Sequence, residues 1–181
     1  MRYPHIGLVG KARSGKDTVA GILTREFAYT RLAFADRLKE AADQVDLILE
    51  DELFLSEAVS MYGWETVKEQ WPASRRFLQN LGVAMRNVDP DIWVRPVENQ
   101  LFNGTELNMP CVVTDVRFAN ELDMLRNHAA VVVRITRPGT GGDPHVSENE
   151  LDDFGADYTI ENGGTLEDLA EQVRELVRKL S

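Results

Sequence analysis

Short runs of apolar and β-branched residues alternate along this chain with stretches whose apolar positions recur every three or four residues. That alternation predicts a parallel sheet covered by helices, in one α/β domain. Strands are predicted at His5 to Val9, Arg31 to Ala35, Cys111 to Thr114, Val131 to Thr136 and Tyr158 to Glu161. Most of these are continuous apolar runs or nearly so, as strands buried on both faces should be. Helices are predicted at Lys16 to Phe27, Asp36 to Leu49, Asn120 to Asn127 and Leu166 to Leu180. The last has the clearest period: Leu166, Leu169, Ala170, Val173, Leu176, Val177 and Leu180 form one stripe. Thr165 with Asp168 resembles a capping box at its start.

Two stretches interrupt the alternation. Between the second and third strands, from about Glu50 to Pro110, the pattern is helical, with turns expected at Gly63, Trp71-Pro72 and Asn103-Gly104. One βαβ crossover needs a single helix, so a connection of this length predicts a subdomain that covers a substrate. The run from Arg137 to His145, with Pro138, Gly139, Gly141, Gly142 and Pro144, reads as a mobile loop.

At 181 residues with 43% apolar content, the chain can bury one sizeable core. Its formal charge of −10 argues against nucleic acid polymers and acidic membrane surfaces as partners, while a few Arg and Lys can still converge on a small phosphorylated ligand. The one cysteine, Cys111, sits in an apolar run and reads as a buried small hydrophobe. With no disulfide to form, no signal-peptide pattern and no run near the roughly 20 apolar residues of a membrane span, the expected location is the cytoplasm. A homodimer is compatible with the composition.

The strongest chemical signal is Gly10-Lys11-Ala12-Arg13-Ser14-Gly15-Lys16, a G-x-x-x-x-G-K spacing directly after a predicted strand and opening a predicted helix. Gly10 and Gly15 let the backbone curl so that N–H groups face phosphate oxygens. The helix N-terminus adds partial positive charge, and Lys16 can reach the β- and γ-phosphates. The next residue is Asp17 where such loops usually carry Ser or Thr, and the hydroxyl follows at Thr18. Asp17 is a hard oxygen ligand for Mg²⁺ or, equally, a helix-capping acid; Thr18 could meet an α-phosphate.

Other polar residues fall at predicted strand ends, where open α/β sheets place ligands. Asp115 follows the third strand and could hold Mg²⁺ or its waters; Arg117 could grip a phosphate. A local ion pair with Asp115 capping the next helix is the plainer alternative. Asp36, with Arg37 and Lys39 nearby, stands likewise after the second strand, either orienting an acceptor phosphate or capping a helix. Arg75 and Gln79 are spaced to share one helix face, beside Arg76, and could bind a monophosphate and a base edge or be solvated charges. Arg137 opens the Gly-rich loop, from which a closing lid could bring it onto a transferring phosphoryl group; His145 and Glu148 lie at the loop's far end. Asn162-Gly163 sits between the last strand and last helix, either against adenine or as a simple turn. With three His and one Cys, no zinc-type spacing exists.

As a set, these segments resemble the deoxynucleoside monophosphate kinases of bacteriophages. The resemblance runs in order through Gly10 to Thr18, Phe34 to Lys39, Arg75 to Gly82, Asp91 to Val94, Val113 to Glu121, Arg137-Pro138, His145 to Glu148 and Asp157 to Gly163. Arg37 stands where Pro is common in the family, and Val83-Ala84 where Thr-Glu is. Dephospho-coenzyme A kinase and one class of phosphomevalonate kinase share parts of the pattern.

The resemblance implies a P-loop kinase of the nucleoside monophosphate type: a five-stranded parallel sheet flanked by helices (about 1–36, 110–136 and 157–181), a helical monophosphate-binding insertion (about 37–109) and a lid (about 137–150). It implies transfer of the γ-phosphoryl group of ATP, with Mg²⁺, to a deoxynucleoside monophosphate. Lys16, Arg137, Asp115 and Asp36 would be catalytic, and residues 10 to 18 with Asn162 and Gly163 would hold ATP. Asp36, Arg37, Lys39, Arg75, Arg76, Gln79, Arg86, Trp93, Arg117 and Glu148 would hold the acceptor, and Asp17 and Asp115 the metal. The rivals are a kinase for dephospho-coenzyme A or phosphomevalonate, and a P-loop switch that binds nucleotide without transferring phosphate.

Overall fold

A computed structural model describes residues 3–140 and 155–181. Five strands form one parallel sheet: β1 (Ile6–Val9), β2 (Thr30–Leu32), β3 (Cys111–Val113), β4 (Val131–Thr136) and β5 (Tyr158–Glu161), in the order β2-β3-β1-β4-β5. The helices described are α1 (Lys16–Phe27), α2 (Phe34–Val45), α3 (Leu55–Gln70), α4 (Pro72–Val88), α5 (Val94–Glu106), α6 (Ala119–Asn127) and α7 (Leu166–Leu180). Among the described residues no helix is long and apolar enough to cross a membrane.

The chain divides into two compact units, Met1–Phe34 with Pro96–Ser181, and Ala35–Arg95. In the first, β1 and β3 are buried at every position, which is why they read as unbroken apolar runs. Alternation along β1 sorts the layers. Ile6 and Leu8 enter a core with Val19, Ile22 and Leu23 of α1 and Leu169, Val173 and Val177 of α7. Gly7 faces the other way, where a Cβ would lie 2.6 Å from Leu125 Cδ1 of α6; helix and strand approach closely because glycine is there. Thr165 and Asp168 form the expected capping box of α7, with Asp168 N donating to Thr165 Oγ1 (3.2 Å) and Thr165 N to Asp168 Oδ2 (2.8 Å).

The second unit has its own core of Ala42, Leu49, Leu55, Ala58, Val67 and Leu78. Helix α3 breaks at Gly63 (φ 75°, ψ 156°), the turn expected there, and Trp71-Pro72 separates α3 from α4. The turn expected at Asn103-Gly104 does not form: α5 runs through both residues. Gly104 serves packing instead. A Cβ on it would stand 2.8 Å from Cys111 Sγ and from Met109 O, so glycine brings α5 against β3. The second strand also differs, ending at Leu32 rather than Ala35 because α2 begins at Phe34. The units part at Ala35 and Pro96, so the first unit includes most of α5.

Candidate active site

The segment that joins β1 to α1 meets the ends of β4 and β5, with Gly10 against Ile135 and Gly15 against Asn162, the residue after β5. Chain connections leave β1 and β3 toward opposite sides of the sheet, since β2 lies beyond β3 while β4 lies on the far side of β1. Such a switch point opens a crevice at the strand ends. The segment Gly10 to Gly15 lies there, between Val9 and the first turn of α1.

Its curl depends on residues with positive φ: Gly10 at 145°, Arg13 at 62° and Gly15 at 107°. Two of these positions also lack room. A Cβ on Gly10 would be 2.3 Å from Ile135 O of β4, and one on Gly15 would be 2.3 Å from Asn162 Nδ2, after β5. Both glycines are therefore required by backbone conformation and by contact.

Lys16 Nζ donates to Gly10 O (2.5 Å) and Lys11 O (2.8 Å), so the ammonium lies within the ring of the loop it follows. Ser14 is 1% exposed; its N–H donates to Lys11 O (3.2 Å), while its Oγ is buried and has no hydrogen-bond partner among the described residues. A buried hydroxyl left over beside a ring of N–H donors and a lysine fits a loop built to take an anion with several acceptor oxygens. Asp17 and Thr18 are exposed in the first turn of α1, and the backbone cap of that helix is Gly15 with no side-chain contribution.

Asp115 follows β3, and the β1–β3 register, Gly7 opposite Val113, continues to set it level with Val9. It is half-buried, and its Oδ1 accepts from Phe34 N at 2.9 Å. The carboxylate thus caps α2, across 81 residues of sequence. The orphan amides before α6 go to Glu121, 1% exposed, whose Oε2 accepts from Arg117 N (2.8 Å) and Phe118 N (3.1 Å). In the sequence Glu121 stands out only as part of the family segment, and its place three residues into a helix is the available signal. The Arg117 side chain is exposed.

Among the described residues no three His, Cys, Asp or Glu side chains gather as a metal site. Asp17 and Asp115 still suit Mg²⁺, which usually takes one or two carboxylates together with substrate phosphates and water.

Asn162 and Gly163 close the far side of the loop. Asn162 N donates to Thr136 O (2.7 Å), its Nδ2 donates to Ser14 O (2.8 Å), and a Cβ on Gly163 would be in ordinary contact with the Pro138 ring at 3.5 Å. Arg137 is exposed, and its carbonyl accepts from Thr140 Oγ1 (2.6 Å). The rest of the expected lid, with Gly141, Gly142, His145 and Glu148, lies outside the described residues.

In the second unit, Asp36 lies in the first turn of α2 rather than at the end of β2. Arg37 pairs with Glu40 at 2.5 Å on the same helix. Arg75 and Gln79 share a face of α4, Arg76 is exposed, and Arg86 is half-buried in the last turn. Glu65 of α3 has its carboxyl held below the usual range, first by the hydrogen bond from Lys68 (2.6 Å) and then by the charges of Lys39 and Arg75. Lys68, which no motif singled out, therefore joins Lys39 and Arg75 around one carboxylate. Trp93, expected to meet substrate, is 6% exposed and donates from Nε1 to Gly82 O at 3.4 Å. It fills the unit's interior and offers no open ring face.

The comparisons with known proteins agree with this architecture. Residues 55–173 match the family model described as deoxynucleotide monophosphate kinase. A protein of Acanthamoeba polyphaga mimivirus, named as a candidate deoxynucleotide monophosphate kinase, is 29% identical over 93% of each chain. The deoxynucleotide monophosphate kinase of Enterobacteria phage T4 is 29% identical over 63% of this chain and 48% of its own length. Among solved structures, dephospho-CoA kinase from Campylobacter jejuni superposes with a TM-score of 0.56 at 12% identity, covering 98% of this chain and 97% of its own, a likeness of fold. With a family match over more than half its length and a phosphate loop at the switch point of a parallel sheet, the chain belongs to the deoxynucleotide monophosphate kinase family.

Proposed function

We propose that this protein transfers the γ-phosphoryl group of Mg·ATP to a deoxynucleoside monophosphate, giving the diphosphate and ADP. The reading is carried by the loop from Gly10 to Lys16: two glycines with no room for side chains, a lysine drawn into the ring, and a buried hydroxyl with no partner among the described residues. Backbone N–H groups and Lys16 hold the donor phosphates, and Lys16 offsets charge that develops on the γ-phosphoryl oxygens. Asp17 and Asp115 are the carboxylates that would hold Mg²⁺, which when bound neutralises the phosphate oxygens.

The acceptor side belongs to the second unit, with Arg75, Arg76, Gln79, Arg86 and Lys39 as phosphate and base contacts and Asp36 orienting the acceptor. Arg117 and Arg137 supply further positive charge. Transfer in line needs no covalent enzyme intermediate; positioning and electrostatics suffice. The substrates are small nucleotides and not polymers, in keeping with a net charge of −10.

A coupled ADP-release assay across ribo- and deoxyribonucleoside monophosphates, with dephospho-coenzyme A in the same panel, tests the assignment. Turnover with deoxynucleoside monophosphates is expected. ATP consumption that no monophosphate stimulates would overturn it.

A further inference from the structure

Asn162 holds the phosphate loop by its side chain, in a way that bears on ATP binding; the inference rests on the donor-site reading above. The residue is anchored by its own backbone, since its N–H donates at 2.7 Å to the carbonyl of Thr136, the last residue of β4. From there its amide reaches a loop 148 positions earlier and donates from Nδ2 to Ser14 O at 2.8 Å. The same nitrogen lies where a side chain on Gly15 would be, 2.3 Å from an ideal Cβ. Ser14 is thus held at both ends, by its N–H to Lys11 O and by its carbonyl to Asn162.

The carbonyl matters because of what is fixed to it. A trans peptide is planar, with the C=O of one residue and the N–H of the next pointing in opposite directions. Holding the Ser14 carbonyl outward toward Asn162 turns the Gly15 N–H the other way, toward the inside of the loop. Gly15 is the residue before Lys16 and caps α1, so its N–H stands where the helix end and the loop both favour an anion.

We propose that Asn162 is a positioning residue of the donor site, whose side-chain amide fixes the Ser14–Gly15 peptide so that the Gly15 N–H faces the phosphates of ATP. This differs from a backbone contact with adenine, for which the residue type would be immaterial. Here an amide donor is required, and its isosteric acid is harmful twice over. Asn162→Asp removes the N–H donor and sets a carboxylate against a carbonyl and beside bound phosphates. Asn162→Ala removes only the donor.

The test is titration of ATP and of a non-hydrolysable ATP analogue into the wild type, Asn162→Ala and Asn162→Asp, with circular dichroism and melting curves for each. Loss of one positioned hydrogen bond predicts roughly 10-fold weaker ATP binding for the alanine variant. The aspartate variant should bind more weakly still, with the gap between the two narrowing as salt is raised. The KM for the monophosphate should stay within about 2-fold. If both variants melt earlier yet bind ATP as the wild type does, Asn162 is only a strut and the proposal fails. Equal binding by the two variants at low salt, or equal effects on both substrates, also overturns it. Should Asn162→Asp not fold, the alanine variant's ATP affinity and its split between the two substrates decide alone. Failure of the wild type to bind ATP would instead remove the donor-site reading, a separate and visible outcome.

Discussion

Asp115 Oδ1 accepts a hydrogen bond from Phe34 N at 2.9 Å, so a carboxylate just after β3 caps α2, and the proposed function gives it the metal as well. The two roles can be separated. Asparagine keeps an oxygen for the Phe34 N–H and loses the charge, while alanine loses both. Asp115→Asn is therefore expected to melt close to the wild type but to lose at least ~10² in kcat, the scale of removing a preorganised charged group from phosphoryl transfer. Asp115→Ala should show the same kinetic loss with about 1 kcal/mol less stability, measured by urea unfolding. Full activity in the asparagine variant would leave Asp115 with the structural role alone.

Two helical glycines should respond in opposite senses to the same substitution. At Gly21 in α1 an added Cβ meets only the end of the Arg25 side chain, 3.2 Å away, which can move. Gly21→Ala should raise stability by about 0.5–1 kcal/mol, the ordinary helix preference. At Gly104 in α5 the Cβ would meet Cys111 Sγ and Met109 O at 2.8 Å and His5 Cε1 at 3.2 Å. Overpacking there should outweigh the helix preference and cost about 1–3 kcal/mol. Paired urea titrations check both signs.

Elements whose ends are set by local chemistry were legible. Strands β4 and β5 and helices α1 and α7 begin and end where the hydrophobic pattern predicts. In α7 the Thr165–Asp168 box and in α1 the glycine turn are written within a few residues of the boundary. Features that depend on distant partners were not. Asn103-Gly104 has the composition of a turn, and only the closeness of Cys111 and His5 explains why it is helix. For Asp115 the plainer alternative to a metal ligand is a cap on the helix that follows it, yet its carboxylate accepts from Phe34 N, 81 residues earlier. Trp93 sits in a family segment, which marks a position without saying that the ring is buried against Gly82. In each case the spatial neighbour is absent from the local sequence.

Cys111 should be inert in the native protein. The thiol is 2% exposed, donates toward Met109 O at 3.6 Å, and burial pushes its pKa up to about 11. At pH 8 about a thousandth of it would be thiolate, so maleimide labelling should be slow in buffer and complete in denaturant. The sign of the pH effect follows. A folded pKa above the unfolded value of 9.0 stabilises the native state below pH 9, and that contribution is lost as pH rises toward about 11. Stability measured across that window should fall, and should fall less in Cys111→Ala.

Lys16 and Arg75 should separate donor from acceptor. Lys16 is half-buried, belongs to no strand, and its Nζ donates to two carbonyls of its own loop; Lys16→Ala should fold normally and lose at least ~10² in kcat. Arg75 lies in the other unit, exposed on α4, sharing the field around Glu65 with Lys68 and Lys39. An arginine that holds the acceptor's phosphate in ground and transition states alike supplies uniform binding, so Arg75→Ala should raise the KM for the monophosphate at least ~10-fold while the KM for ATP stays nearly constant. Lysine at this position keeps the charge but loses the two-pronged guanidinium, so Arg75→Lys should recover only part of the loss. Equal changes in both KM values, or none, would show that these cations serve only the surface of the second unit and would move the acceptor site elsewhere.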